Sequence, residues 1–312
     1  MKNKVFCQSS FLHDAVVEEY FKQYFERVGS PELADVIIYN PLREEPIVSS
    51  KPVIKDLIWE LVDRTPEYTS DRVLLGGCNE RLTNTIEVPK WFWYHTYMYI
   101  KPKRLTMPMP YLHTKEYNFL MPIRRLSKRR KNFLKELGNL RDTSLYSIVE
   151  EGRTLDPGED MSSNDRHYNS AWYNKTYYSV VLETYYGWGK FDNDKLLSET
   201  SSTFITEKTF KPICYGHPLI VLGQPGILKT LRNWGFVTYD NLFDESYDDE
   251  PDADKRISMI VDNIKRVDLE ECLSAETIER IHHNQNLFRN EALIKQGLYD
   301  DVVKPIQEFI NG

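Results

Sequence analysis

The segment Phe204 to Gly223, FITEKTFKPICYGHPLIVLG, sets Thr206, Glu207 and Lys208 side by side in a polar turn and follows them with an apolar run. Thr206 is a residue type that caps a helix by accepting free backbone N–H groups of its first turn, and Gly216 is one that ends a helix in the left-handed region. The pattern therefore predicts a helix between them and a buried strand after it. A helix start favours an anion through its exposed N–H groups and its dipole. There a glutamate can hold two ribose hydroxyls while a neighbouring ammonium meets a phosphate, which makes Glu207 and Lys208 a candidate grip for a nucleotide diphosphate. A plainer use of the same residues is an exposed pair between Glu207 and Lys211, one turn apart, with Phe210, Ile213 and Cys214 facing inward. Pro212 should kink or break this helix at a cost of ~3 kcal/mol, through its missing N–H and a ring clash.

Three runs, YYSVVLET (Tyr177 to Thr184), FITEK (Phe204 to Lys208) and GHPLIVLG (Gly216 to Gly223), together resemble the donor-binding half of the GT-B glycosyltransferases related to the α1,3-fucosyltransferases. In that family a strand ending in Phe-Glu-Asn precedes a Tyr-x-Thr-Glu-Lys turn, and a small-residue helix leads into a strand ending in Gly. The Glu and Lys of the turn hold the ribose and phosphates of a nucleotide-sugar. The resemblance implies that role for Glu207 and Lys208 and places Glu183, Phe204 and Thr206 in the donor-binding set. Phe204 stands where the family has Tyr and lacks its hydroxyl, Thr184 replaces the family Asn, and residues 185–203 read as an insertion. The fuller spelling TEKTFKP…GHP resembles glycosyltransferase-like proteins encoded by tailed phages and large viruses.

The elements that must position these residues repeat an αβ pattern. KVFCQ at 4–8 reads as a strand, followed by a helix with the stripe Val17, Tyr20, Phe21, Tyr24 and Val28 closed by Gly29. ADVIIYN (34–40) and RVLLGG (72–77) are further apolar strands ending at polar loops, as in a parallel sheet that keeps its functional loops at strand C-termini. Asp14, on the loop after the first strand, fits the N-cap of the first helix and is also the first candidate for a catalytic base, with His13 the second. From Lys90 to Tyr111 aromatics give way to prolines, which suggests packing followed by a linker near 105–118. Trp93 with Lys101, Lys103 and Arg104 could instead stack on and hold an acceptor.

The second half opens with the strand YNFLMPI and a helix capped by Ser127 and stopped by Gly138. Arg130 falls three, four and seven positions before Phe133, Leu134 and Leu137, so it shares their inward face. A cation there, near the positive end of a helix, needs a partner. The resemblance implies phosphate binding by Arg130, with Arg129 the one-residue alternative. YYSVVLE gives a buried strand ending at Glu183. QPG leads into a helix with Ile227, Leu228, Leu231 and Trp234 inward, then the strand FVTYD, and residues 284–310 read as helices.

Length and composition set the frame. A chain of 312 residues with 41% hydrophobic and 13% aromatic residues suits two globular domains. The N-terminus runs into polar Gln8 to Ser10 without a signal-peptide core, and a cytoplasmic protein is expected. Cys7, Cys78, Cys214 and Cys272 lack metal-site or disulfide spacing, and no phosphate-binding GxxxxGK[ST] loop occurs. The net charge is −7, but residues 240–254 hold eight carboxylates and no base, so the remainder is +1 and a nucleic-acid acceptor is not excluded.

The expected architecture is α/β and GT-B-like: two Rossmann-like lobes with an interlobe cleft and a C-terminal helix crossing back. Its parts are residues 1–112 as the acceptor-side lobe, 113–285 as the nucleotide-sugar lobe and 286–312 as the returning helix. The expected reaction is transfer of a sugar from a nucleotide-diphosphate donor to a hydroxyl. Lys208 and Arg130 would offset leaving-group charge, so no metal or other cofactor is required. Hydroxymethylated cytosine in duplex DNA is the first acceptor suggested by the phage-like spelling and a surface or virion glycan the second. A catalytically silent nucleic-acid-binding or virion-associated protein on the same fold is the rival.

Overall fold

In a computed structural model, the described residues are 2–8, 15–40, 47, 49–56, 72–75, 85–88, 90, 93–94, 96–97, 107–155, 169–184, 189–190, 196–197 and 203–312. The chain divides into two compact units, one of residues 1–98, 197–202 and 290–312, the other of residues 99–196 and 203–289.

The first unit begins with β1 (Asn3–Gln8), α1 (Ala15–Tyr24), β2 (Phe25–Arg27) and β3 (Val36–Tyr39), and continues through β4 (Val53–Asp56), β5 (Arg72–Leu75) and β6 (Thr85–Glu87). They form one sheet in the order β2-β1-β3-β4-β5-β6, parallel throughout. All four residues of β3 are buried, as expected of a strand covered on both faces. Its Ile37 and Tyr39 make a core cluster with Phe6 and Ala34. The first helix is shorter than its stripe suggested. It stops at Tyr24, and Phe25 to Arg27 instead pair with Asn3 to Val5 at the sheet edge, with Phe25 buried.

The second unit holds β7 (Tyr117–Ile123), α2 (Lys128–Leu137), β8 (Leu145–Ile148), α3 (Ser170–Asn174), β9 (Thr176–Leu182), α4 (Glu207–Tyr215), β10 (Leu219–Leu222), α5 (Ile227–Asn233), α6 (Ala253–Arg266) and α7 (Ala275–Phe288). Its sheet is parallel in the order β10-β9-β7-β8. Aromatic rings fill one side, with Tyr178 between Phe119 and Phe243 at 5.6 and 5.5 Å. The chain then returns to the first unit as α8 (Glu291–Leu298), a π-helical turn, and α9 (Lys304–Asn311), with Ile294, Leu298, Val302 and Ile306 buried. Tyr94 donates to Asp301 at 2.9 Å within that unit. No described helix is long and apolar enough to cross a membrane.

Two local expectations change. Pro212 does not break α4, which runs on to Tyr215. Burial of Phe210, Pro212, Ile213, Cys214 and Tyr215 holds the turn, and the N–H of His217 closes it onto the Pro212 carbonyl at 2.9 Å. The stretch Phe236 to Tyr239 joins no sheet, and Asp240 opens a turn. The Asn284 side chain takes the place of a neighbouring strand, accepting from Val237 N at 2.9 Å and donating to Val237 O at 2.8 Å. The acidic run at 240–254 is built into the fold: Asp248 accepts from the first N–H groups of α5 at 3.0 and 3.1 Å, and Asp252 caps α6. Asp240, Glu245 and Asp254 pair with Arg280, Arg232 and Arg129. Cys7, Cys214 and Cys272 are buried.

Gly216 ends α4 at φ 70°, and a Cβ there would meet the Gln285 amide nitrogen at 2.5 Å and the Ile281 Cγ2 at 3.1 Å. Gly216→Ala should therefore lower unfolding stability by ~2 kcal/mol or more, through left-handed strain and the displaced Gln285. A denaturant midpoint unchanged from wild type would show that this end of α4 can relax freely.

Candidate functional site

In the second sheet, β7 connects through α2 to β8 on one side, and the chain then crosses to β9 on the other side of β7. The carboxyl ends of β7 and β9 therefore flank a topological switch point, where open α/β sheets hold ligands. A pocket open to solvent lies there. Pro122, Ile123 and Arg124 border it from the end of β7, Val180 to Leu182 from the end of β9, Arg130 from α2, and Glu207, Lys208, Lys211 and Pro212 from α4. Among the described residues, four cations and one carboxylate thus border it.

The start of α4 is fixed from below by Glu183, the fully buried residue after β9. Its carboxylate accepts from Thr206 N at 2.9 Å, Thr206 Oγ1 at 2.6 Å and Thr209 Oγ1 at 2.7 Å. The helix-start anion is therefore a residue of this chain. Thr206 is the N-cap, accepting from Lys208 N at 3.3 Å. Its hydroxyl also receives the Lys208 ammonium at 2.9 Å, and that ammonium stands 3.4 Å from Glu207 and 3.8 Å from Glu183.

Burial alone would raise the Glu207 carboxyl, but Lys208 and Lys211 beside it leave it below its ordinary value. For Lys208, burial and Arg130 oppose the charge, and Glu207 with Glu183 outweigh them, so its ammonium is held above its ordinary value. Both groups are charged at neutral pH. Glu207 thus pairs with its neighbour Lys208 rather than standing out on a solvent face.

Arg130 lies on the inward face of α2 with Phe133, Leu134 and Leu137. Its guanidinium donates to the carbonyls of Arg125 at 2.9 Å, Leu182 at 2.9 Å and Glu183 at 3.1 Å. Arg129, one residue earlier, turns to Asp254. Phe204 donates its backbone N–H to Gln224 at 2.8 Å and does not border the pocket.

Deeper in the pocket stand Leu120, Ser147, Ser179, Trp172 and Tyr173. Trp172 and Tyr173 come from α3, whose N-cap Asn169 accepts from Ala171 N at 2.9 Å. Lys211 joins the pocket beyond the helical pairing with Glu207 that its spacing gives, and Arg124 joins it from a position that no sequence pattern marks. Beside Ser179, His217 Nδ1 lies 2.8 Å from the serine oxygen and Nε2 lies 2.8 Å from the Thr176 carbonyl.

Of the other sequence candidates, Asp14, His13, Lys101, Lys103 and Arg104 lie outside the described residues. Trp93 belongs to the first unit and is 2% exposed, so it offers no open face for stacking an acceptor.

No protein-family model matches the chain, and no curated protein matches it in sequence. Among solved structures it is similar to an α1,3-fucosyltransferase, with a TM-score of 0.52 at 10% identity over 100% of this chain and 90% of that one. It is similar as well to an α1,3-fucosyltransferase with GDP-fucose, with a TM-score of 0.50 at 11% identity over 100% and 91% of the two chains. At such identity the likeness carries the architecture: a mixed α/β chain with two parallel sheets, of the GT-B type.

Burial pushes the His217 imidazole down to about 3, so the folded protein keeps it neutral. The unfolded chain binds that proton near pH 6.5, and the stability His217 contributes is present above 6.5 and lost as pH falls. Between pH 7 and 5 the loss should be ~2 kcal/mol. Urea unfolding of wild type and His217→Gln over that range tests it, since the steeper decline belongs to wild type alone. Parallel stability curves would mean that His217 titrates normally.

Proposed function

We propose that the protein is a glycosyltransferase that takes a sugar from a nucleotide-diphosphate donor and passes it to a hydroxyl acceptor. The observation that carries this reading is the placement of Glu207, Lys208 and Lys211 at the mouth of the switch-point pocket, with a buried carboxylate holding their helix in place. The fold likeness to an enzyme solved with GDP-fucose supports it. Glu207 can accept from ribose hydroxyls, and the two lysines can meet the diphosphate. In the reaction a base removes the acceptor proton, the freed oxygen bonds to the anomeric carbon, and the bond from that carbon to the diphosphate oxygen breaks. Negative charge grows on the departing diphosphate, where the Lys208 and Lys211 ammonium groups offset it. Arg130 acts through position, since its fork ties the end of β9 to the turn before α2.

Within this reading the base is sought at Asp14, then His13. The phage-like spelling makes a hydroxyl on modified cytosine in DNA the first acceptor to try and a surface or virion glycan the second. The buried Trp93 gives the DNA acceptor no stacking platform, so that choice rests on the spelling alone.

Glu207→Ala and Lys208→Ala should each weaken nucleoside-diphosphate binding by ~1.5–3 kcal/mol without unfolding the protein. Calorimetry that finds wild-type affinity in both variants sinks the assignment.

Arg130→Lys keeps the charge but loses the fork. Nucleotide affinity and unfolding stability should fall together, by ~1–3 kcal/mol, while Arg129→Lys leaves both near wild type. The reverse pattern would place the functional guanidinium on Arg129.

A further inference from the structure

The pocket continues below its charged mouth. Its floor reaches Ser179, three residues before the end of β9, which at 3.3 Å per residue is about 10 Å beneath the rim. Around that depth stand Leu120, Trp172, Tyr173 and Pro212, so the walls are largely apolar. Among the described residues two serines border the pocket. Ser147 is engaged with Ile123, accepting from its N–H at 3.1 Å and donating to its carbonyl at 3.3 Å.

Ser179 differs, because a chain of partners fixes its polarity. The Thr176 carbonyl can only accept, so His217 Nε2, 2.8 Å away, carries the ring proton. The opposite nitrogen, Nδ1, is then a lone pair, and Ser179 Oγ at 2.8 Å donates its single proton to it. The ring is fully buried, with Tyr173 packed edge-on at 5.4 Å, and burial keeps it neutral. What Ser179 offers the pocket is therefore an acceptor and no donor.

We propose that the lower pocket takes the nucleobase of the donor and that Ser179 reads it by accepting a hydrogen bond from a ring or exocyclic N–H. This rests on the nucleotide-donor reading above. A flat ring with N–H groups on its edge suits largely apolar walls into which Ser179 offers an acceptor. A phosphate brings only acceptors and would face the lone pairs of Ser179, while a sugar would leave several hydroxyls unpaired against Leu120, Trp172 and Pro212. The lysines and Glu207 at the rim remain for the diphosphate and ribose, so each part of the ligand meets its own chemistry.

The test titrates GDP, UDP, ADP, CDP and inorganic pyrophosphate into wild type and Ser179→Ala by calorimetry. The nucleotide that binds wild type most tightly is then compared with its analogue whose base N–H groups are blocked by methylation. Ser179→Ala should weaken that nucleotide about tenfold, the size of one neutral hydrogen bond, and leave pyrophosphate within about twofold. Methylation should cost wild type about the same and cost the variant nothing. The proposal is overturned if the variant binds the nucleotide within about twofold of wild type, or if methylation costs both proteins equally. An equal loss of pyrophosphate binding also overturns it, since that marks a loosened pocket rather than a lost contact. Wild type that binds no nucleotide would bring down the donor reading itself, and this inference with it.

Discussion

A carboxylate with no exposure to water, that of Glu183, is the constraint on which the candidate site depends. Burying an ionised group is costly unless it is paired and hydrogen-bonded, and here the partners all come from one turn of chain. The Thr206 N–H and the hydroxyls of Thr206 and Thr209 donate to it, and the Lys208 ammonium stands near it. Removal of any of these donors leaves charge unsatisfied in a dry place, so the turn has little freedom to move. The start of α4 is thereby locked to the end of β9. Because Glu183 already occupies the helix start, the ligand-facing work passes to side chains, and Glu207, Lys208 and Lys211 are held where the strands end.

Arg130 completes the frame from the other side of the same strand end. Its guanidinium bridges the carbonyls of Arg125, Leu182 and Glu183, which joins the turn before α2 to the end of β9. A helix start disfavours a cation, yet three carbonyl oxygens close by supply the negative partial charge that compensates it. The residue before the carboxylate, the carboxylate residue itself and the helix it caps are thus pinned by two opposite charges that do not pair directly. Such cross-bracing is what pre-organisation requires, since the groups that meet a ligand need not be ordered when it arrives.

Much of this was legible in the sequence, for identifiable reasons. Thr206 and Gly216 bracket α4 as their types demand, and Arg130 lies inward because helical phase with Phe133, Leu134 and Leu137 leaves it no other face. Patterns local to one element were therefore readable. Long-range partners were not. Nothing in the spacing of Glu183 and Thr206 says that the carboxylate turns into the protein and caps a helix 24 residues later in the chain. Pro212 signalled a break that tertiary burial overrode, and Val237 looked like a strand residue although its backbone bonds to a single asparagine side chain from α7. In each case the deciding contact joins residues far apart in sequence.

Charge shows the same separation between what a composition says and what a site does. The chain carries −7 overall, and the eight carboxylates of 240–254 account for it. Folding puts much of that acid to structural use, at the starts of α5 and α6 and in pairs with Arg232, Arg280 and Arg129. Among the described residues the pocket, meanwhile, is bordered by Arg124, Arg130, Lys208 and Lys211 against Glu207. A ligand near the mouth responds to those nearby groups, because charges beyond about a Debye length of ~8–10 Å are screened. An acidic protein can in this way hold an anion-seeking site, provided that its acid is tied into helix caps and arginine pairs.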